Sequence, residues 1–295
     1  QVTRLSRDFG CEIHLYSQDV RDLPLVNVSG SSEKLRGRLV WHKVPAIPGP
    51  LLFQFLWWYF ANRFCRWWDQ VVHGLTCDLL LSPGINAPDA DVIAIHIVFH
   101  ESYSRTRPRL RLQDSPIGAW PRLLHRFLYY RLLMGLERRI YSHPRVRLAA
   151  VSGLVADQIA RYFHRADVEV ILNCVDTDRF TTAIRSQRRK AARERFTLAD
   201  QDFVLLLIGN DWGSKGLHTL LLSMAECRDL PVRLLVVGSD DENLFLRQVG
   251  NLGLQDRVQF LPASEDVVQF YAAADVYAGP SFQDSFALPV LEAMS

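Results

Sequence analysis

Along these 295 residues the apolar positions switch repeatedly between two spacings, and that switching predicts the fold class before any motif is considered. Short runs that alternate or are wholly apolar read as strands at residues 11–16, 77–82, 91–98, 148–152, 168–172, 203–208, 233–237, 258–261 and 273–277. Segments with helical character fall between them at 1–5, 155–163, 217–225 and 289–294, with a pair of helices across 120–141. Strand and helix in alternation predict an α/β fold on parallel sheets, because a parallel pair needs a crossover long enough to hold a helix. The continuous run Phe203-Val204-Leu205-Leu206-Leu207-Ile208 suits a strand covered on both faces. A chain of this length is expected to form about two domains. The boundary is placed after Asp176, giving domains 1–176 and 177–295, with the polar stretch 181–195 as connection and entering helix.

Residues 48–68, PGPLLFQFLWWYFANRFCRWW, are the most apolar and aromatic part of the chain. The run 51–61 is shorter than the roughly 20 residues a bilayer crossing needs, so it does not span. Two readings stay open: a helix buried in the first domain, or an interfacial helix. In the second, Trp57, Trp58, Trp67 and Trp68 sit at headgroup depth and Arg63 and Arg66 reach back to water.

With 48% hydrophobic and 22% charged residues and a formal net charge of +2, the composition is that of a globular protein and not of a chain that seeks polyanions as a whole. Locally the balance differs. Across 105–147 eleven arginines face only Asp114 and Glu137, an excess of nine positive charges. Such a stretch attracts an anionic membrane surface or a phosphorylated glycolipid acceptor, or is the solvated face of a helix pair. No nucleic-acid-binding motif accompanies it. Five cysteines scattered without a C-x-x-C pair suggest neither a disulfide framework nor a zinc site, and hence a reducing compartment.

The candidate chemistry lies toward the carboxyl end. In residues 276–295, VYAGPSFQDSFALPVLEAMS, a strand end, a break and a helix opening with an early proline follow one another, and Asp284 and Glu292 flank the helix start. The amides of Phe286, Ala287 and Leu288 would be free donors at a positive helix end, where a diphosphate binds readily. Upstream, Gly209-Asn210-Asp211-Trp212-Gly213-Ser214-Lys215-Gly216 joins a strand to a helix and brings a lysine to the helix's positive end. No G-x-G-x-x-G and no P-loop occurs. Asp89-Ala90-Asp91 has the spacing of a metal-binding D-x-D but stands where a strand begins.

The stretch 276–295 resembles the E-x7-E signature of retaining glycosyltransferases of the GT-B fold, which build glycans and lipopolysaccharide from nucleotide-sugars. The family run P-S-x-x-E-x-F-G-L-x-x-x-E-A-M is matched by Pro280, Ser281, Phe286, Leu288, Glu292, Ala293 and Met294, with Asp284 for the first Glu and Ala287 for the glycine. Its G-R-x-x-x-x-K-G is matched by Gly209, Lys215 and Gly216, with Asn210 for the arginine. Ser152, Asn173, Val175, Asp176 and Phe180 match a further passage in which Cys174 replaces a glycine, and strand ends at Gly238, Phe260 and Asp275 also agree. The resemblance is specific from about Leu148 onward and loose before it.

The resemblance implies an α/β GT-B architecture, two Rossmann-like domains facing a cleft, the first for the acceptor and the second for a nucleotide-sugar. It implies transfer with retention of configuration and neither metal nor cofactor. The donor would be held by Gly209, Asn210, Lys215, Gly238, Ser281, Phe286, Ala287, Leu288 and Glu292, with Glu292 on the ribose. Lys215 and Asp284 would act on diphosphate and sugar, and His100, or His96, would lie near the transferred sugar. The implied partners are a nucleotide-sugar donor and a glycan or glycolipid acceptor, with an anionic membrane surface at 105–147 and no nucleic acid. The implied setting is cell-envelope polysaccharide synthesis, in the cytoplasm or on the inner face of a membrane. Because the family has a first strand with a glycine-rich loop before the position of Gln1, and further strands and a return helix after that of Ser295, the chain reads as trimmed at both ends. A GT-B epimerase or phosphorylase, a glycosidase and a non-catalytic binding module are the rival readings.

Overall fold

The computed structural model of the chain describes residues 2–20, 38–107, 116–282 and 284–295. They divide into two compact units, Gln1–Ile171 and Leu172–Ser295, where the sequence reading put the division after Asp176.

In the first unit α1 (Val2–Phe9) leads into β1 (Glu12–Ser17), which pairs in parallel with β2 (Arg38–Lys43). There follow α2 (Leu51–Val72), β3 (Leu81–Pro83), β4 (Val92–Ile95), α3 (Phe99–Thr106), α4 (Trp120–Tyr141), β5 (Arg147–Ala150), α5 (Gly153–Phe163) and β6 (Val168–Val170). Strands β3 to β6 form one parallel sheet in sequence order. Ile93, Ile95 and Leu148 of the sheet, Leu133 and Tyr141 of α4, and Val155 and Ile159 of α5 are all buried and make up much of this unit's core. The Ser152 hydroxyl accepts the Val155 N–H at 3.3 Å and starts α5 as an N-cap.

Three expectations change here. Residues 77–80 are not strand: the Leu80 N–H bonds the Asp91 carboxylate at 2.8 Å and its carbonyl takes the Asp91 and Val92 N–H groups, so pairing begins only at Leu81. Likewise β4 ends at Ile95, and Phe99 and His100 open a helix instead of sitting in a loop. Residues 120–141 form one helix of 22 residues and not two. A lone Gly135 costs only about 1 kcal/mol relative to Ala and does not break it. The buried-helix reading of 51–68 also fails. Within α2 the one buried residue is Asn62, while large apolar side chains from Leu51 to Val72 are exposed.

The second unit runs α6 (Thr182–Arg195), β7 (Phe203–Ile208), α7 (Leu217–Glu226), β8 (Val232–Gly238), α8 (Asn243–Asn251), β9 (Val258–Pro262), α9 (Val268–Ala273), β10 (Val276–Tyr277) and α10 (Leu288–Met294). Its sheet has the order β10-β7-β8-β9, all parallel. Both faces are covered, as the continuous apolar run predicts. Val204, Leu206, Leu235 and Val237 pack against α9 with Phe180 and Phe196, whereas Leu207, Leu234 and Val236 pack against α7, α8 and Trp212. The stretch 181–195 is part of this unit, not a connection to it. Helix α6 lies on α9, and Arg189 and Arg193 pair with Asp275, whose carboxylate also accepts the Val204 N–H at 2.8 Å. Burial alone would push the Asp275 carboxyl up, but the Val204 amide and Arg189 hold it below the usual carboxylate range.

Candidate functional site

The order β10-β7-β8-β9 fixes where a ligand can be gripped. From β7 the chain moves to β8 on one side, and it returns to β10 on the other, so the loops leaving β7 and β10 diverge from the sheet at a switch point. These loops are residues 209–216 and 278–287, the two stretches singled out by their lysine and their acids.

Glycines let the two loops meet backbone to backbone. Gly216 has φ +84, and a Cβ there would lie 2.0 Å from the Pro280 carbonyl oxygen. Gly238, at the end of β8, would place a Cβ 2.3 Å from the Gly209 oxygen and 2.8 Å from Trp212 Nε1. The Phe282 N–H donates to the Ser214 carbonyl at 3.0 Å and joins the loops directly. Asn210 Oδ1 accepts the Ser239 N–H at 2.9 Å, and an Asp240 oxygen accepts the Trp212 N–H at 2.8 Å, tying the β7 loop to the β8 loop. Asn210 is thus a fastening between loops rather than a second cation. Trp212, buried against Phe245 and Phe260, anchors the arrangement in the core.

This scaffold brings Lys215 and Asp284 together: Nζ lies 2.6 Å from Oδ2, with the side chains 21% and 23% exposed. Asp284 Oδ1 accepts the Phe286 N–H at 3.3 Å. The Leu288 N–H donates to the Phe286 carbonyl at 3.0 Å. Of the three amides expected to be open, only that of Ala287 lacks an acceptor among the described residues. Ser281 lies in the turn before them, its N–H on the Gly279 carbonyl at 2.8 Å. Glu292 does not reach Lys215; its Oε2 accepts the Tyr271 hydroxyl at 2.5 Å. Burial, then this bond, pushes the Tyr271 phenol far above its ordinary value. Tyr277 is raised as well, by burial first and then by the charges of Asp284 and Glu292, so both acids act on one phenol.

In the first unit His100 stands in the opening turn of α3, where the sequence reading missed its partner. Glu137 of α4 is fully buried and receives the Phe99 N–H at 2.6 Å, the His100 N–H at 3.0 Å, and His100 Nδ1 at 2.8 Å. It caps α3 from another helix, where Val98 offers no capping side chain. Burial pushes the Glu137 carboxyl up to about 8, although the two backbone donors pull it down. Burial, helped by nearby Arg138, lowers the His100 ring. The ring lies tilted against Tyr162 and edge-on to Phe163. A signal existed: Leu133, Glu137 and Ile140 share the buried face of α4, so Glu137 is an acid inside an apolar stripe.

The remaining candidates divide. His96 is exposed and apart from this pair. Asp89 is held by Arg66 through two bonds of 2.9 and 2.8 Å and Asp91 by the Leu80 amide, so the D-x-D carboxylates hold structure. In the basic stretch Arg109, Arg111 and Asp114 lie outside the described residues, and Arg105 pairs with Glu101 at 2.8 Å. No helix among the described residues is long and apolar enough to cross a membrane.

Comparison with known proteins agrees with this geometry. Residues 188–295 match the family described as glycosyl transferases group 1. The D-inositol 3-phosphate glycosyltransferase of Mycobacterium sp. (strain KMS) is 34% identical over 161 residues, a match covering 50% of this chain and 35% of that protein. The chain therefore spans about a third of the length of the curated relatives it matches. Among solved structures, WaaG, a glycosyltransferase involved in lipopolysaccharide biosynthesis, superposes with a TM-score of 0.74 at 18% identity, covering 99% of this chain and 73% of that one. HepE of Anabaena, solved with UDP-glucose, gives 0.54 at 22% identity, covering 82% and 55%. These likenesses place the α/β fold with the GT-B glycosyltransferases.

Proposed function

We propose, from the match of residues 188–295 to the glycosyl transferases group 1 family, that the protein moves a sugar from a nucleotide-diphosphate-sugar to a glycan or glycolipid acceptor. The observation that carries this reading is the Lys215–Asp284 pair, held at 2.6 Å on two glycine-tight loops at the switch point of the second unit's sheet. A mycobacterial relative named for glycosyl transfer, and a structural neighbour that holds UDP-glucose, support a donor of this class.

The bond from the anomeric carbon to the β-phosphate oxygen breaks, a bond to the acceptor hydroxyl oxygen forms, and the hydroxyl proton passes to the departing diphosphate. Charge builds on the departing diphosphate, and Lys215 with the Ala287 amide is the electrostatic partner for it. The diphosphate competes with Asp284 for Lys215, and Asp284, once released, takes the sugar hydroxyls. Glu292 serves the ribose hydroxyls from beside Tyr271. His100, oriented by Glu137, is the first unit's candidate for positioning the sugar. Configuration is retained, with no metal or cofactor, in cell-envelope polysaccharide synthesis on the cytoplasmic side of a membrane. A non-catalytic binding module is the second reading, favoured by the use of Asn210 as a fastening.

Incubation with labelled nucleotide-diphosphate-sugars, with and without acceptor glycans, tests the proposal. Release of nucleoside diphosphate is expected, slower by roughly tenfold or more in Asp284→Asn with nucleotide affinity not weakened, because contacts that position the sugar act mainly as the transition state forms and the competitor for Lys215 is gone. No release above the buffer rate would leave the binding module. Loss of nucleotide binding in Asp284→Asn would break the assignment of the acid.

A further inference from the structure

Helix α2 carries an apolar stripe that its own unit does not cover. Phe53, Trp57, Phe60, Phe64, Trp67 and Val71 are 58, 41, 64, 57, 50 and 61% exposed. Their spacings of four, three, four, three and four residues put them on one side of a helix of 22 residues. The opposite side holds the helix to the fold: Asp69 accepts the Tyr16 hydroxyl at 2.7 Å, Arg66 pairs with Asp89, and Asn62 is buried. The outer stripe is therefore not the core side misplaced, but a second apolar face on an anchored helix.

The chemistry around the stripe selects its partner. Its large side chains are aromatic, with tryptophans among them, the types favoured at a bilayer's headgroup level. Beside it runs a groove of about 560 Å³ between Tyr59 and Phe60 of α2 and Leu132 and Leu136 of α4, rimmed by Arg63 and Arg139. Neither arginine pairs with a carboxylate among the described residues. Asp89 lies in the same groove but is already held by Arg66. An apolar ridge bordered by two arginines that keep their charge available is complementary to apolar chains topped by phosphate.

We propose that α2 lies flat in the interface of an anionic phospholipid bilayer, its stripe among the upper acyl chains and the Arg63 and Arg139 guanidiniums on lipid phosphates. The docking element is thus α2, with Arg63 and Arg139 as its electrostatic border, rather than the basic stretch 105–147 by itself. This holds whatever reaction the second unit performs.

The test is co-sedimentation of the full chain with phosphatidylcholine vesicles, with and without phosphatidylglycerol. Binding is expected to be stronger with phosphatidylglycerol and to weaken as salt rises. Trp57→Ser with Phe64→Ser should lower the partition roughly tenfold or more on both vesicle types, because each ring removed forfeits apolar burial. Arg63→Glu with Arg139→Glu should abolish the preference for phosphatidylglycerol. The substituted residues are exposed, and unchanged thermal unfolding checks that the variants fold. Independently of any variant, lipids brominated high on the acyl chain should quench the tryptophan fluorescence of the unaltered protein. Binding indifferent to both pairs of substitutions, or no quenching, overturns the proposal. A dimer in sedimentation velocity that the Trp57 and Phe64 substitutions dissolve overturns it too, by making the stripe a contact between copies.

Discussion

Each unit holds a carboxylate against a nitrogen base, and the two pairs are built for opposite purposes. Glu137 in the first unit is fully buried, meets three donors, and keeps a carboxyl pushed up to about 8. Asp284 in the second is about a quarter exposed, and its ion pair with Lys215 sits on loops at the sheet's switch point. A buried acid with every bond satisfied cannot exchange partners without exposing unpaired amides, so it fixes a helix. A partly exposed pair can exchange its partner for a ligand at smaller cost. The difference separates scaffold from site more clearly than residue type does.

The largest effect that could break this contrast is on Glu137. Glu137→Ala is expected to destabilise the first unit by about 3 to 5 kcal/mol, since it strips the Phe99 and His100 amides and a ring nitrogen of their buried acceptor. Urea unfolding would measure it, and a loss below about 1 kcal/mol would make the pair dispensable. Gly216→Ala comes next, at about 1 to 3 kcal/mol, because the residue needs positive φ and its Cβ would overlap the Pro280 oxygen. Thermal unfolding with wild-type stability would mean that the two loops are not in contact as described.

The pH dependence sharpens the contrast with smaller numbers. Glu137 has a folded value raised above its unfolded one, so its contribution is present at low pH and fades as pH rises toward 8. His100, lowered in the folded protein, works in the opposite direction until its unfolded ring has lost its proton about a pH unit above 6.5, and the Glu137 slope amounts to at most about 1.4 kcal/mol per pH unit. Asp275 in the second unit has the opposite sign: its folded value is depressed, and its contribution is lost as pH falls below the ordinary carboxylate range. Denaturant midpoints between pH 6.5 and 8 should therefore fall in the wild type relative to those of Glu137→Gln; parallel curves in both would remove Glu137 as the cause. The smallest effect is on Lys215, whose replacement by Ala should change folding stability by less than about 1 kcal/mol, as for a partly exposed ion pair. A larger loss in urea unfolding would make that pair structural as well.

The sequence carried the alternation of elements, because local spacing determines it, and the resemblance gave Lys215 and Asp284 separate roles at one donor without pairing them. It did not show how the flanking residues are used. Asn210 matches the place of an arginine but ties two loops, and the Phe286 and Leu288 amides find acceptors within their own turn. Glu137 was legible only as a net-charge term, because its partners arrive from a helix 37 residues away. Glu292 met Tyr271 across 21 residues for the same reason. The exposure of α2 was hidden by a helix that is apolar nearly all round, since periodicity cannot rank two apolar faces when both are present.

The central claim is that Lys215 is an exchangeable phosphate ligand, and calorimetry on Lys215→Ala tests it most directly. Nucleoside diphosphate binding should weaken by about 1.5 to 3 kcal/mol, the worth of a charge-assisted hydrogen bond, while binding of the nucleoside without phosphates stays as in the wild type. Equal losses for the two ligands, or none for either, would contradict the account.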